Sequence, residues 1–206
     1  MAASAGTATI SELAPLLRRK ELSPVDLAKQ YLERARRLNP TLNAYITLTE
    51  KQALEDAARA EREIQQGQYR GPLHGIPFAV KDNLATRGVR TTAGSKILDN
   101  WLPEFDATAV QRLKDAGVIL LGKTNMHEWA LGGTTINPFY GTTRNPWNQD
   151  FIAGGSSGGS AAPAAARRQR WRRICASRRL GRTARNRCAT RPRCAASSVS
   201  SRLTDG

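Results

Sequence analysis

Apolar residues recur at helical spacing in the first part of the chain, and this pattern predicts three helices. Segment 25–38 carries an amphipathic stripe that begins after Ser23, a good capping residue followed by proline. The Asn-Pro pair at 39–40 is expected to stop this helix, because proline lacks an amide donor. A shorter helix is expected to open at Ser11, and the charged segment 50–66 predicts a long helix.

One alternating segment and two compact apolar runs predict the strands of a sheet. Residues 44–49 alternate between apolar and polar positions, whereas 76–80 and 118–121 are short apolar runs typical of buried strands. Asp106 and Thr124 are each expected to cap a helix that follows them. This alternation of helices and strands predicts an α/β fold with a mixed, largely buried β-sheet flanked by helices.

The chain is long enough for one sizeable domain, and its charge is very unevenly distributed. It has 206 residues, of which 40% are hydrophobic, and a net charge of +15. Most of that charge lies after residue 166, where there are 13 arginines and a single acidic residue, Asp205. Cys175, Cys188 and Cys194 lie in the same tail at spacings that do not match structural zinc sites, so no metal is expected.

The sequence gives no sign of a membrane segment or an export signal. No stretch reaches the roughly 20 consecutive apolar residues of a membrane-spanning helix. Residues 1–8 have neither a basic start nor an apolar core. A cytoplasmic protein with no membrane partner is therefore expected.

Residues 154–160, with the sequence GGSSGGS, are the most informative segment for chemistry. Glycines allow tight turns that expose serine hydroxyls and backbone amides to a ligand. A flexible linker has the same composition. A phosphate-binding loop is a third interpretation, although the Gly-Lys-Ser/Thr ending of a P-loop is missing.

The segment 75–83, with the sequence GIPFAVKDN, places Lys81 at the end of an apolar strand. A lysine held partly out of water has a lowered pKa and can act as a base. An ordinary surface lysine is the simpler alternative when this residue is considered alone.

Together these two segments resemble the amidase signature family. Three further segments between them match the family in order and spacing: GKTNM at 122–126, GGTTIN at 132–137 and GTTRNPW at 141–147. The resemblance extends from about residue 11 to residue 162. Several separate motifs in register are far more specific than one glycine-serine loop.

The resemblance implies a Ser, cis-Ser and Lys mechanism for hydrolysis of a small-molecule carboxamide, with no cofactor. It assigns the lysine to Lys81 and the serine preceded by a cis peptide bond to Ser156. The family's third catalytic group, the nucleophilic serine, attacks the amide carbonyl and forms an acyl-enzyme. The residues that the resemblance places against substrate are Gly132, Gly133, Thr134 and Ser157.

The resemblance breaks after residue 162, where the family's second glycine-rich stretch with the nucleophilic serine is missing. The family commonly continues with ALCGVVGLKPT. One GC-rich coding of that sequence, read with its first base dropped, gives RCAASSVSSRL, which is residues 193–203. We therefore expect residues 1–162 to be the front part of an amidase-signature domain. Residues 163–206 are expected to be a frameshifted, disordered, Arg-rich tail, which leaves the chain truncated and inactive.

Two alternatives to a stand-alone amidase stay open. The amidase subunit of a glutamyl-tRNA(Gln) amidotransferase has the same motifs and uses glutamine as ammonia donor. The Arg-rich tail alone would also suit nucleic-acid binding, but the out-of-frame match explains its charge without a function. His74 and His127 resemble catalytic bases or ligands, and a packing role is preferred for both. The oligomeric state is not specified by any motif.

Overall fold

The computed structural model describes residues 8–163 as an α/β fold. The α-helices are α1 (Ile10–Arg18), α2 (Pro24–Leu42), α3 (Glu50–Gln65) and α4 (Thr108–Asp115). The strands are β1 (Tyr45–Leu48), β2 (Pro77–Lys81), β3 (Ile119–Thr124), β4 (Arg144–Asn145) and β5 (Asn148–Ile152). Short 3-10 turns span Lys96–Leu98 and Glu128–Ala130, and residues 158–163 are helical.

The larger of the two sheets has three strands in the order β1-β3-β2, and it is mixed as predicted. Strand β3 pairs antiparallel with β1 and parallel with β2. Every residue of β3 is buried. The smaller sheet is the antiparallel pair β4-β5, which the hydrophobic pattern did not predict.

Alternate side chains of β3 point to opposite faces of the sheet and join two hydrophobic clusters. Ile119 and Leu121 pack with residues of α2 and α3, namely Ala28, Leu32, Ala53 and Ala57. Leu120 packs on the other face with Val110 of α4 and with Val80 and Val89. Helices therefore flank the sheet on both faces, and the predicted arrangement is confirmed.

The predicted stop of α2 at residues 39–40 is wrong, since the helix includes Pro40 and continues to Leu42. Proline removes one helical hydrogen bond, and the helix ends within the next turn. Asn43 then adopts a left-handed conformation. The side chain of Asn39 accepts hydrogen bonds from the amides of Ala44 and Tyr45, at 2.8 Å each, and so directs the chain into β1.

The predicted helix caps at Asp106 and Thr124 are also wrong. The carboxylate of Asp106 accepts hydrogen bonds from the amide of Arg87 and from Lys114. Thr124 is the last residue of β3, and the next α-helix begins only at residue 158. A single 3-10 turn is present there, in which Trp129 has a left-handed backbone.

α1 begins one residue before Ser11, and Thr9 and Glu12 form its capping box. Apart from residue 163, the predicted tail lies outside the described residues, so the domain boundary and the missing nucleophile stay predictions. Among the described residues, no helix is long and apolar enough to cross a membrane.

Candidate active site

Lys81 and Ser156 meet at the carboxyl end of β2. The ammonium group of Lys81 donates a hydrogen bond to Ser156 Oγ over 2.7 Å, and both residues are half-buried. Burial lowers the pKa of Lys81, because the charged form is less well hydrated there. Among residues 8–163, Ser156 is the one hydrogen-bond partner of this ammonium group, and no carboxylate pairs with it.

The backbone around Ser156 is tightly held. The peptide bond between Gly155 and Ser156 is cis. The carbonyl of Ser156 accepts a hydrogen bond from the amide of His127 at 3.0 Å. A Cβ atom on Gly155 would lie 1.9 Å from the carbonyl oxygen of Thr134, so only glycine fits this contact. The contacts with His127 and Thr134 hold this backbone where Ser156 Oγ lies 2.7 Å from Lys81 Nζ.

The glycine-serine segment 154–160 is hydrogen-bonded to other parts of the fold, so the linker interpretation of it is wrong. The amide of Gly158 donates to the hydroxyl of Thr135 at 2.9 Å, and the amide of Gly159 donates to the carbonyl of Asn125 at 3.0 Å. Both glycines are buried. These two amides are already paired within the fold, which also argues against a phosphate cradle at this position.

The segment predicted to contact substrate lies beside Ser156. His127 Nδ1 lies 3.1 Å from both the carbonyl and the hydroxyl oxygen of Thr134, and Gly132 lies directly against the imidazole ring. Gly133 is exposed, with open space where a side chain would be. Ser157 is half-buried next to Ser156. Thr134, through its contact with Gly155, and Ser157, which follows Ser156, therefore lie near the pair of Lys81 and Ser156.

Both histidines are engaged in contacts within the fold. His127 contacts the loop that carries Thr134 through its Nδ1 atom. His74 is fully buried; its Nδ1 accepts from the amide of Arg70 and its Nε2 lies 3.0 Å from Glu63. Burial lowers the pKa of His74, against the opposing effect of Glu63. These contacts agree with packing roles.

A buried ion pair next to Lys81 was not predicted from the sequence. Lys123 Nζ lies 3.8 Å from Asp82 Oδ1, and both side chains are fully buried. Lys123 donates three hydrogen bonds, to the carbonyl of Leu84 and the hydroxyls of Thr86 and Thr91. It therefore holds the loop after β2 onto the central strand.

The pKa values of this pair shift in the directions that burial dictates. Burial raises the pKa of Asp82, although hydrogen bonds from Thr92 and the charge of Lys123 oppose this effect. Burial lowers the pKa of Lys123 to about 8, with Asp82 opposing. The signal in the sequence was a lysine two residues after the apolar run 118–121, since a buried lysine needs partners.

No group of three or more His, Cys, Asp or Glu side chains suited to a metal ion occurs within residues 8–163.

Comparisons with known proteins give consistent matches over the same part of the chain. Residues 26–169 match the family model described as Amidase. The glutamyl-tRNA(Gln) amidotransferase subunits A of Heliobacterium modesticaldum and Geobacter metallireducens are each 50% identical to the chain, over 151 and 149 residues. The alignments cover 73% and 72% of this chain but 31% and 30% of those proteins, so the chain spans about a third of their length.

The solved structures that are similar to this fold include amidases. A crystal structure described as an amidase has a TM-score of 0.72 and 43% identity, and the match covers 78% of this chain and 36% of that one. The peptide amidase from Stenotrophomonas maltophilia has a TM-score of 0.70 and 39% identity, over 75% of this chain and 33% of that one. The motifs, the fold and the family match agree, and the chain belongs to the amidase signature family.

Proposed function

We propose that this chain is part of an enzyme that cleaves the carbon-nitrogen bond of a small carboxamide, with Lys81 and Ser156 as its proton-transfer pair. The observation that carries this proposal is the 2.7 Å contact between Lys81 Nζ and Ser156 Oγ. Lys81 has no carboxylate partner among residues 8–163 and lies half-buried against a hydroxyl, which suits it to act as a base. The family match gives the reaction class.

The proposed reaction begins with neutral Lys81. Its amine accepts the proton of the Ser156 hydroxyl, while Ser156 takes the proton of the nucleophilic serine, whose oxygen attacks the amide carbonyl. The leaving amine departs with a proton returned along the same path, and water or ammonia then resolves the acyl-enzyme. Gly132, Gly133, Thr134 and Ser157 line the proposed binding site for the substrate.

The nucleophilic serine belongs to a glycine-rich stretch that the sequence after residue 162 lacks. The proposal therefore includes that the 206-residue chain as given is inactive and that its tail is read out of frame. No cofactor or metal is part of this mechanism. We place the intact enzyme in the cytoplasm.

The first experiment is to sequence the encoding DNA across codons 155–206, translate all three frames and express the longest continuous product. The expected product contains the missing glycine-serine stretch and hydrolyses carboxamides. Lys81→Ala or Ser156→Ala should each reduce its kcat by about 100-fold or more. A confirmed frame with no family sequence in the alternatives, or an active product insensitive to both substitutions, would refute the proposal.

A second candidate function is that of an amidotransferase subunit. The 50% identity to glutamyl-tRNA(Gln) amidotransferase subunits A favours it. The same frame-restored protein distinguishes the two functions. A stand-alone amidase would release ammonia from simple carboxamides without another protein, whereas a subunit would act on glutamine and depend on added partner subunits.

A further inference from the structure

The lysine-serine pair at the end of β2 is isolated from the other charged groups around it. Asp82 follows Lys81 directly, but its carboxylate is buried and turned to Thr92 and Lys123. The imidazole of His127 contacts Thr134. Lys81 therefore has a hydroxyl oxygen, and no acid, as its hydrogen-bond partner among the described residues.

This arrangement is that of a serine-lysine dyad, in which a neutral amine activates a neighbouring hydroxyl. We infer that Ser156 is itself a nucleophile in this chain, which accepts acyl or phosphonyl groups from small activated esters and fluorophosphonates with Lys81 as its base. The inference rests on the part of the proposed function that makes Lys81 a base. The inference differs from the proposed function because it gives Ser156 the attacking role in the 206-residue chain.

The step is balanced without any further reactant. With a fluorophosphonate, Ser156 Oγ attacks phosphorus, the phosphorus-fluorine bond breaks and fluoride leaves. With a nitrophenyl ester, Oγ attacks the carbonyl carbon and nitrophenolate leaves. In both cases the hydroxyl proton moves to Lys81 Nζ, which becomes an ammonium ion.

The other serines of the same segment lack this contact. Ser160 Oγ lies 2.8 Å from the hydroxyl of Thr124. Ser157 has no lysine within hydrogen-bond distance. Ser156 alone in this segment combines partial exposure, a base at 2.7 Å and a backbone held by the amide of His127. Ser156 is therefore partly exposed to a small reagent, and its hydroxyl oxygen lies 2.7 Å from the amine that would act as its base.

The test uses the full 206-residue chain and a fluorophosphonate reporter, and the labelled residue is identified by peptide mass spectrometry. We expect stoichiometric label on Ser156, absent in Ser156→Ala. Lys81→Met and Lys81→Arg should both slow the labelling of Ser156 by at least about 100-fold. Ser160→Ala and Lys51→Met are matched controls, because they remove a serine of the same segment and an exposed lysine of α3. Both should label at the rate of the unmodified chain.

Far-ultraviolet circular dichroism of each variant excludes unfolding as the cause of lost label. A folded chain without label on Ser156, or with label that persists at an equal rate in Lys81→Met, overturns the inference. Failure here is distinct from failure of the proposed function. A frame-restored enzyme can depend on Lys81 and Ser156 for amide hydrolysis while Ser156 alone resists the reagent.

Discussion

The substitution Lys123→Met keeps most of the volume of the lysine side chain and removes its ammonium group from the interior. It leaves the carboxylate of Asp82 buried without its cation, and it deprives three oxygen acceptors of their donor. Two unit charges 3.8 Å apart attract by about 4 kcal/mol at an effective dielectric constant of 20, against which desolvation must be set. Removal of one partner from a buried pair costs about 3 to 5 kcal/mol.

We therefore expect Lys123→Met to lower the free energy of unfolding by about 3 to 5 kcal/mol, out of the roughly 5 to 15 kcal/mol typical of a domain. Urea denaturation followed by circular dichroism measures this loss. The matched control is Glu21→Gln, which breaks the ion pair with Arg19, where both side chains are more than half exposed. That change should cost far less than Lys123→Met, because solvent screens an exposed pair.

The double variant Asp82→Asn with Lys123→Met distinguishes the attraction between the two charges from the packing of their side chains. Because neither charge is then left alone, it should cost clearly less than the sum of the two single losses. Strict additivity, or a loss below about 1 kcal/mol for Lys123→Met, would show that the pair does not hold this loop onto β3.

Three further predictions concern stability, each read from urea midpoints. The pKa of His74 is lower in the folded chain than in the unfolded chain, so the unfolded chain binds more protons below about pH 6.5. The free energy of unfolding should therefore fall as the pH falls through 6.5. A His74→Gln variant with the same acid sensitivity would contradict this. Gly117→Ala should cost more than Gly67→Ala, since both glycines have φ near +80° but only at 117 would the new Cβ lie 2.4 Å from His74. Equal losses would refute the steric argument. Ser23→Ala should cost about 1 kcal/mol through loss of the hydrogen bonds from Val25 and Asp26, and no measurable change would exclude a capping role.

The α/β class, the three strands of the main sheet and the family were all predictable from the sequence. Short apolar runs bounded by turn residues mark β2 and β3, because burial on both faces excludes polar side chains. The family followed from five motifs in register, each too short to be specific alone. The family match and the amidase structures confirm it.

The errors arose where distant contacts override local preference. Asp106 has the right chemistry for a helix cap, but Lys114 and the amide of Arg87 bind its carboxylate. Thr124 resembles a cap too, yet its hydroxyl contacts Ser160. The pair of Asp82 and Lys123 joins residues that are far apart in sequence, and no local pattern indicates which lysine is buried with which acid.

The order of strands in the main sheet has a consequence for synthesis on the ribosome. The central strand β3 comes last in the chain of the three strands in this sheet, and both edge strands, β1 and β2, pair with it and not with each other. While the chain emerges, α2 and α3 can meet, but β3 is the one strand of residues 8–163 that pairs with β1 or β2, and it leaves the exit tunnel after both. Pairing between such distant segments is slow and exposes strand edges in the meantime. This order predicts a stage of synthesis at which α2 and α3 can already pack while β1 and β2 still lack their partner β3.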